Sequence, residues 1–275
     1  MEIESTGDLQ LAKPIYELGV TGVFTKQLDV ALLNNEADIA VHSLKDVPTQ
    51  LAEGLTIASV LERGSYEDVL LHKGGQMFEN ELSLATVATS SLRRRAQWLS
   101  KYPKHSIVPI RGNVQTRLSK FSNDEAMNGV IFAKAGLERL NLLPADAITL
   151  HWMLPAPAQG IVGIACRVDD DEMVAACKSI NHQPSFIVGT VERSFMRTLM
   201  GGCSVPISAL ATISGDSLKI KGSVDAFDGS RSFNINRTVD LKEWENAGKA
   251  SAEILLQQPG ASALIEEIRK GQIDK

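Results

Sequence analysis

This sequence predicts an α/β protein of two α/β domains and a small α+β domain. Three observations predict it: strand–turn–helix units that recur through the first half, a proline-rich break at Leu154-Pro155-Ala156-Pro157, and closely spaced hairpin turns after residue 206. The chain has 275 residues, enough for two or three cores. Its 44% hydrophobic and 22% charged content is that of an ordinary globular protein. There is no apolar run of transmembrane length, and the first residues lack the basic and apolar regions of a secretory signal. Three cysteines, an odd number, fit a reducing compartment better than a disulfide framework, so a cytoplasmic location is expected. A net charge of −5 argues against generic nucleic-acid binding.

Taken in order, Phe24, Leu28 and Leu32 recur every four residues and mark a short amphipathic helix. Asn34-Asn35 leads into Ala37-Asp38-Ile39-Ala40-Val41, an apolar run read as a buried strand. Between residues 82 and 143 the unit repeats three times. Residues 86–88 lead through Ser90-Ser91 to a helix over 93–99, residues 107–110 through Gly112-Asn113 to one over 114–118, and residues 130–132 through Gly136 to one carrying Leu137 and Leu140. That grammar predicts an open, largely parallel sheet. Residues 161–166 read as a further buried strand. Ile187, Val191, Phe195 and Leu199 mark a helix ending at Gly201-Gly202, as a glycine cap would end it. Residues 207–213, 218–224 and 232–239 are strands separated by the turn signals Gly215-Asp216 and Asp228-Gly229, and helices over 241–257 and 261–270 finish the chain.

Charge is unevenly spread. Residues 82–123 hold no Asp or Glu but eight basic residues: Arg93, Arg94, Arg95, Lys101, Lys104, Arg111, Arg117 and Lys120. Arg93 to Arg95 fall in the first turn of a helix, where the helix dipole disfavours each cation by about 0.3–1 kcal/mol. An anion on that helix start would offset the cost, and Arg111 at a strand end sits where open α/β sheets take ligands. Anion binding is therefore favoured over a merely solvated face, with carboxylate and phosphate both open. A second cluster, His42-Ser43-Leu44-Lys45-Asp46, leaves the end of a buried strand. By spacing alone it is a polar loop, with His42 a hydrogen-bonded structural histidine. A third, Gly201-Gly202-Cys203-Ser204, exposes a thiol suited to act as a nucleophile or covalent anchor, whereas Cys166 and Cys177 look like core residues. Phosphate-loop, dinucleotide and metal-ligand motifs are absent, and no metal site is expected.

The stretches FTKQLDVALLNNEADIAVHSLKDVPT, TSSLRRRAQ, IRGNVQTRLSK, AKAGLERL, LPAPAQGIVGIACR and GGCSVPI, in that order, resemble the hydroxymethylbilane synthase (porphobilinogen deaminase) family of tetrapyrrole biosynthesis. The resemblance implies a monomeric transferase that joins four porphobilinogen molecules head to tail with loss of ammonia. It implies a dipyrromethane cofactor held by a thioether to Cys203. Asp46 takes the place of the catalytic aspartate, which hydrogen-bonds the pyrrole N–H and stabilises the cationic azafulvene formed as ammonia leaves. Lys45, Arg93, Arg94, Arg111, Arg117 and Arg139 match the basic residues that hold acetate and propionate groups. Ser90, Ser91, Ala133, Gln159 and Gly160 match further cofactor or substrate contacts; Arg95 is left at the surface. The same resemblance divides the chain into a discontinuous domain 1 (residues 1–62 and 161–181), domain 2 (63–160) and domain 3 (182–275), the first two periplasmic-binding-protein-like.

Two departures stand out. No stretch matches the family's opening Thr-Arg-x-Ser-x-Leu-Ala-x-Trp-Gln motif, so the chain is expected to start at the family's second strand and to turn over weakly or not at all. The glycine loop that carries a lysine in the family reads Gly19-Val20-Thr21-Gly22, with Lys26 as a replacement cation. The competing reading is a non-catalytic organic-acid or anion-binding module of periplasmic-binding-protein type, with no covalent cofactor. No nucleic-acid or membrane partner is expected.

Overall fold

The structure is a computed structural model and describes residues 25–75, 78, 80–199 and 205–273. The expected roles of Phe24, Gly19 to Gly22, the glycine cap at Gly201-Gly202 and Cys203 lie outside the described residues.

Helix α1 (Lys26–Leu33) covers one face of a three-stranded sheet. Its sequence ends it cleanly: Asn35 adopts φ 58°, Glu36 N–H donates to the Ala31 carbonyl (2.8 Å) and Asn35 N–H to that of Leu32 (3.1 Å). This paired closure is the left-handed cap that asparagine tolerates. The bonds run on to Ala37, so the strand starts later than expected, as β1 (Ala40–Ser43). A single 3-10 turn, Leu44–Asp46, follows, and then β2 (Leu55–Val60).

Next come β3 (Asp68–His72), β4 (Thr86–Ala88), α2 (Leu92–Lys101), β5 (Ser106–Val108), α3 (Val114–Asn123), β6 (Gly129–Ala133), α4 (Lys134–Arg139) and β7 (Ile148–Thr149). They form a five-stranded sheet ordered β5-β4-β6-β3-β7. The three strand–helix repeats supply the parallel part, β5-β4-β6, as expected. β3 and β7 correct the largely parallel prediction, because β3 runs antiparallel to both β6 and β7 and makes the sheet mixed.

The chain then returns as β8 (Val162–Arg167), which inserts between β1 and β2, antiparallel to each. Helices α5 (Asp171–Ser179) and α6 (Gln183–Leu199) lead to the last sheet. That sheet, β9 (Ile207–Ser214), β10 (Ser217–Asp225) and β11 (Ser232–Asp240), is antiparallel and ordered β11-β10-β9. Helices α7 (Trp244–Leu256) and α8 (Ala261–Ile273) complete it. Phe195 of α6 joins Ile207, Val224, Leu255 and Leu264 in one core, while Val188 and Val191 join Leu44, Val47 and Ile161 in another. One helix thus seats the last sheet against the loop that bears Asp46.

Two strand connections cross between the first and second sheets, residues 61–67 and 150–161, and they touch. Gly64 N–H donates to the Gly160 carbonyl at 3.0 Å. Gly160 has φ +88°, and a Cβ there would lie 2.7 Å from the Ser65 carbonyl oxygen, so glycine is required.

Candidate active site

The site gathers around the crossing. Asp46 lies exposed at the end of the 3-10 turn. Its loop is held from behind by Arg193 of α6, whose Nη1 donates to the carbonyls of Leu44 (3.1 Å) and Val47 (2.8 Å) and whose Nη2 donates to that of Pro48 (2.7 Å). Lys45 places Nζ 3.5 Å from Gln159 Oε1. Burial pushes the Lys45 ammonium down; Asp46 and Asp68 oppose that, and Arg94 and Arg93 add to it. His42 is buried, as a structural histidine would be, and burial lowers its pKa against the pull of Asp29 and Asp46.

Arg93 and Arg94 open α2, and Ser91 caps it by accepting from Arg94 N–H at 3.4 Å. Both guanidiniums are buried, and the anion beside them is internal. Asp68, fully buried at the start of β3, accepts Arg93 Nη2 at 2.7 Å, Arg94 Nη2 at 2.7 Å and Arg94 Nε at 3.1 Å. Burial alone would raise the Asp68 carboxyl, but Arg93 and Arg94 hold it well below the usual carboxylate range. An anion is expected near these arginines from their place in the first turn, and Asp68, far from them in sequence, supplies one from within the chain. Arg93 also donates to the Leu154 carbonyl (2.7 Å), and Arg94 to that of Ile131 (3.0 Å). Arg95 is exposed, as expected.

Gln159 is the hub. Its side-chain amide donates to the Tyr66 carbonyl (2.7 Å) and to Asp68 (2.9 Å), and its own carbonyl accepts Arg63 Nε (2.9 Å). Arg63 in turn grips Glu192 of α6 at 2.6 and 3.3 Å. Glu192 is fully buried and accepts the N–H groups of Ala158 (2.6 Å) and Ala211 (2.7 Å). The sequence reading also missed Arg63, Glu192 and Arg193. Glu192 and Arg193 signalled themselves only as charges inside the apolar helix of Val191 and Phe195, and Arg63, in a strand connection, had no local signal.

Arg117 lies over the Phe132 ring, 4.8 Å from its centroid. Burial pushes its guanidinium down to about 10, with Arg94 adding and Asp46 opposing. It still carries its charge at neutral pH. Ser90 Oγ donates to the Ile110 carbonyl (2.8 Å) and accepts its N–H (3.0 Å), which fixes the segment leading to Arg111. Asn113 caps α3 by accepting from Thr116 N–H at 2.8 Å. Arg139 donates to the Gly160 carbonyl at 3.2 Å, and Ala133 sits at the cap of α4 beside Asp68 in the β3–β6 register.

The electrostatic neighbours thus include four cations, Lys45, Arg93, Arg94 and Arg117, against the carboxylates of Asp46, Asp68 and, beside Arg93, Asp225. Such a partly buried positive excess is the chemistry of a seat for a polycarboxylate. Among the described residues no cluster suited to a metal ion occurs, and no helix is long and apolar enough to cross a membrane.

Comparison with known proteins accords with this donor set. The family model for porphobilinogen deaminase, dipyromethane cofactor binding domain, matches residues 1–175, and that for the porphobilinogen deaminase C-terminal domain matches residues 186–257. The porphobilinogen deaminase of Syntrophomonas wolfei is 40% identical over 266 residues, covering 96% of this chain and 87% of the relative. That of Chlorobium chlorochromatii is 42% identical over 274 residues, covering 98% and 87%. Among solved structures, a mutant of ArgBP from T. maritima is similar over 63% of this chain and 76% of its own, at 17% identity and a TM-score of 0.30. With two family models spanning most of its length, the chain belongs to the porphobilinogen deaminase family.

Proposed function

We propose that this chain is a hydroxymethylbilane synthase, joining four porphobilinogen molecules head to tail with release of ammonia. The observation that carries the reading is the gathering of cations at the crossing: Arg93 and Arg94 buried on Asp68, and Lys45 and Arg117, partly buried, near both Arg94 and Asp46. Each porphobilinogen brings two carboxylates, so a growing chain needs many cations in one cleft. A non-catalytic organic-acid-binding module would use those cations too, but it gives no reason for an acid beside them, and family membership goes against it.

Asp46 accepts the pyrrole N–H and stabilises the positive charge that develops on the substrate as ammonia leaves. Its exposure and its anchoring by Arg193 suit a carboxylate held ready rather than one spent on the fold. Lys45, Arg93, Arg94, Arg111 and Arg117 hold carboxylates of the cofactor, and Arg139, with Ala133, meets the incoming substrate. Ser90, Ser91, Gln159 and Gly160 shape the same wall. The dipyrromethane, on a thioether to Cys203, supplies the pyrrole from which the chain grows. Its two pyrroles bring four carboxylates, which fits the positive excess.

In this reading, residues 1–62 and 161–181 form domain 1, 63–160 domain 2 and 182–275 domain 3. The place of β8 between β1 and β2 supports the division. The enzyme acts in the cytoplasm as a monomer.

Replacing Asp46 by Asn keeps the shape and removes the charge. Turnover is expected to fall about 10²–10³-fold, the usual cost of losing one stabilising group aimed at developing charge, while the covalent mass on Cys203 persists. Near-parental turnover by D46N would overturn the assignment. An unmodified Cys203 in an active preparation would overturn the cofactor.

A further inference from the structure

Asp68 sits where β3 enters the five-stranded sheet. Its backbone is paired with Ala133 on one side, and its carbonyl accepts Leu150 N–H at 2.9 Å on the other. Both carboxylate oxygens are occupied: Oδ2 by Arg93, Oδ1 by both nitrogens of the Arg94 fork and by Gln159. The far end of Gln159 faces Lys45, the residue before Asp46. One buried acid therefore touches two of the cleft arginines directly and reaches a third cation through one amide.

We propose that Asp68 is a positioning residue for the elongation reaction, fixing the forks of Arg93 and Arg94 and, through Gln159, the ammonium of Lys45. The inference rests on the reading above that these cations hold the carboxylates of the cofactor, the end of the pyrrole chain to which each porphobilinogen is joined. A purely stabilising role is a poor account of the arrangement, since a buried ion pair contributes little net stability compared with apolar packing of the same volume. Orientation is what the geometry provides. Arg94 has Nε and Nη2 on one carboxylate oxygen and Nη1 on the Ile131 carbonyl, so its plane is fixed.

The proposal has a sign that simple electrostatics lacks. Removing the Asp68 charge makes the cleft more positive, which by itself predicts tighter binding of a carboxylate-rich substrate. An Asn at 68 keeps the volume, but its amide N–H confronts guanidinium N–H groups, so the forks turn away and binding weakens.

The test uses full-length Asp68→Asn and Asp68→Glu, with melting temperature, covalent mass at Cys203, porphobilinogen affinity by calorimetric titration, and KM and kcat. For Asp68→Asn, KM and Kd are expected to rise about tenfold, with kcat per adduct-bearing molecule changed less than about threefold. Asp68→Glu, which restores the charge one methylene away, is expected to recover part of the affinity. Unchanged or tighter binding by Asp68→Asn would sink the proposal. Should that variant fail to fold, parental affinity in Asp68→Glu does the same. Arg117→Gln, whose side chain does not touch Asp68, separates the two readings. If it also leaves affinity unchanged, the carboxylate-holding reading fails; if it weakens binding while the Asp68 variants do not, the positioning role alone fails.

Discussion

At the scale of single residues, the informative groups are the buried acids. Glu192 neutralises Arg63 and satisfies two backbone N–H groups, one of Ala158 before β8 and one of Ala211 in β9. Arg63→Ala leaves that carboxylate buried and uncompensated, a change that costs about 3–5 kcal/mol. Urea unfolding should show it as a lowered midpoint, and a loss below about 1 kcal/mol would mean that the pair is dispensable. Lys45 and Arg139 came only from the family resemblance, whereas Arg93, Arg94, Arg111 and Arg117 were legible in the sequence because they cluster within one acid-free stretch. Their partners were not. Asp68 lies 25 residues before Arg93, and Glu192 lies 129 residues after Arg63, so nothing local pairs them. The anion expected near Arg93 was a sound physical demand, answered from inside the fold.

At the scale of elements, local chemistry decided what could be read. The three C-terminal strands were legible because Gly215-Asp216 and Asp228-Gly229 punctuate them, and the structure places strands on both sides of each turn. β3 was not, because its buried residues face both sides and leave no alternation, and β7 has only two residues. The two turn glycines make a matched test. Gly229 has φ +74°, and a Cβ there would lie 2.4 Å from Ser100 N and 2.6 Å from the Ala96 carbonyl oxygen of α2. Gly215 has φ +57° with open space around it. Gly229→Ala should therefore lower the melting temperature by several degrees, roughly 1–3 kcal/mol of strain and clash, since it forces the hairpin off α2. Gly215→Asn should stay within about 0.5 kcal/mol of the parent, because asparagine tolerates the left-handed region. Equal effects at the two sites would contradict the packing of this hairpin on α2.

For the molecule as a whole, the buried ionisable groups set the response to acid. Burial lowers the pKa of His42 and His105, so the unfolded chain takes up protons there before the folded one does. Stability then rises with pH up to the ordinary histidine value and levels off above it. Asp68, held below its ordinary value when folded, acts in the same direction as pH falls through the acid range, whereas Asp225 and Asp29, raised by burial, oppose it there. The urea midpoint should accordingly be lower at pH 5 than at pH 7.5, and a flat profile over that interval would refute the assignment.

The insertion of β8 between β1 and β2 also has a consequence in time. Among the described residues those two strands pair with β8 and not with each other. Ser43 must wait for Val162, its partner in the register, to be synthesised. At ribosomal rates of about 5–20 residues per second, that gap of roughly 120 residues lasts about 6–24 seconds. The five-stranded sheet, whose strands all lie within the interval, is free to form while the loop bearing Asp46 is still waiting for its neighbours. The nascent chain thus can build the arginine-bearing sheet before the loop of Asp46 gains its β8 neighbour, once the translated chain has doubled back.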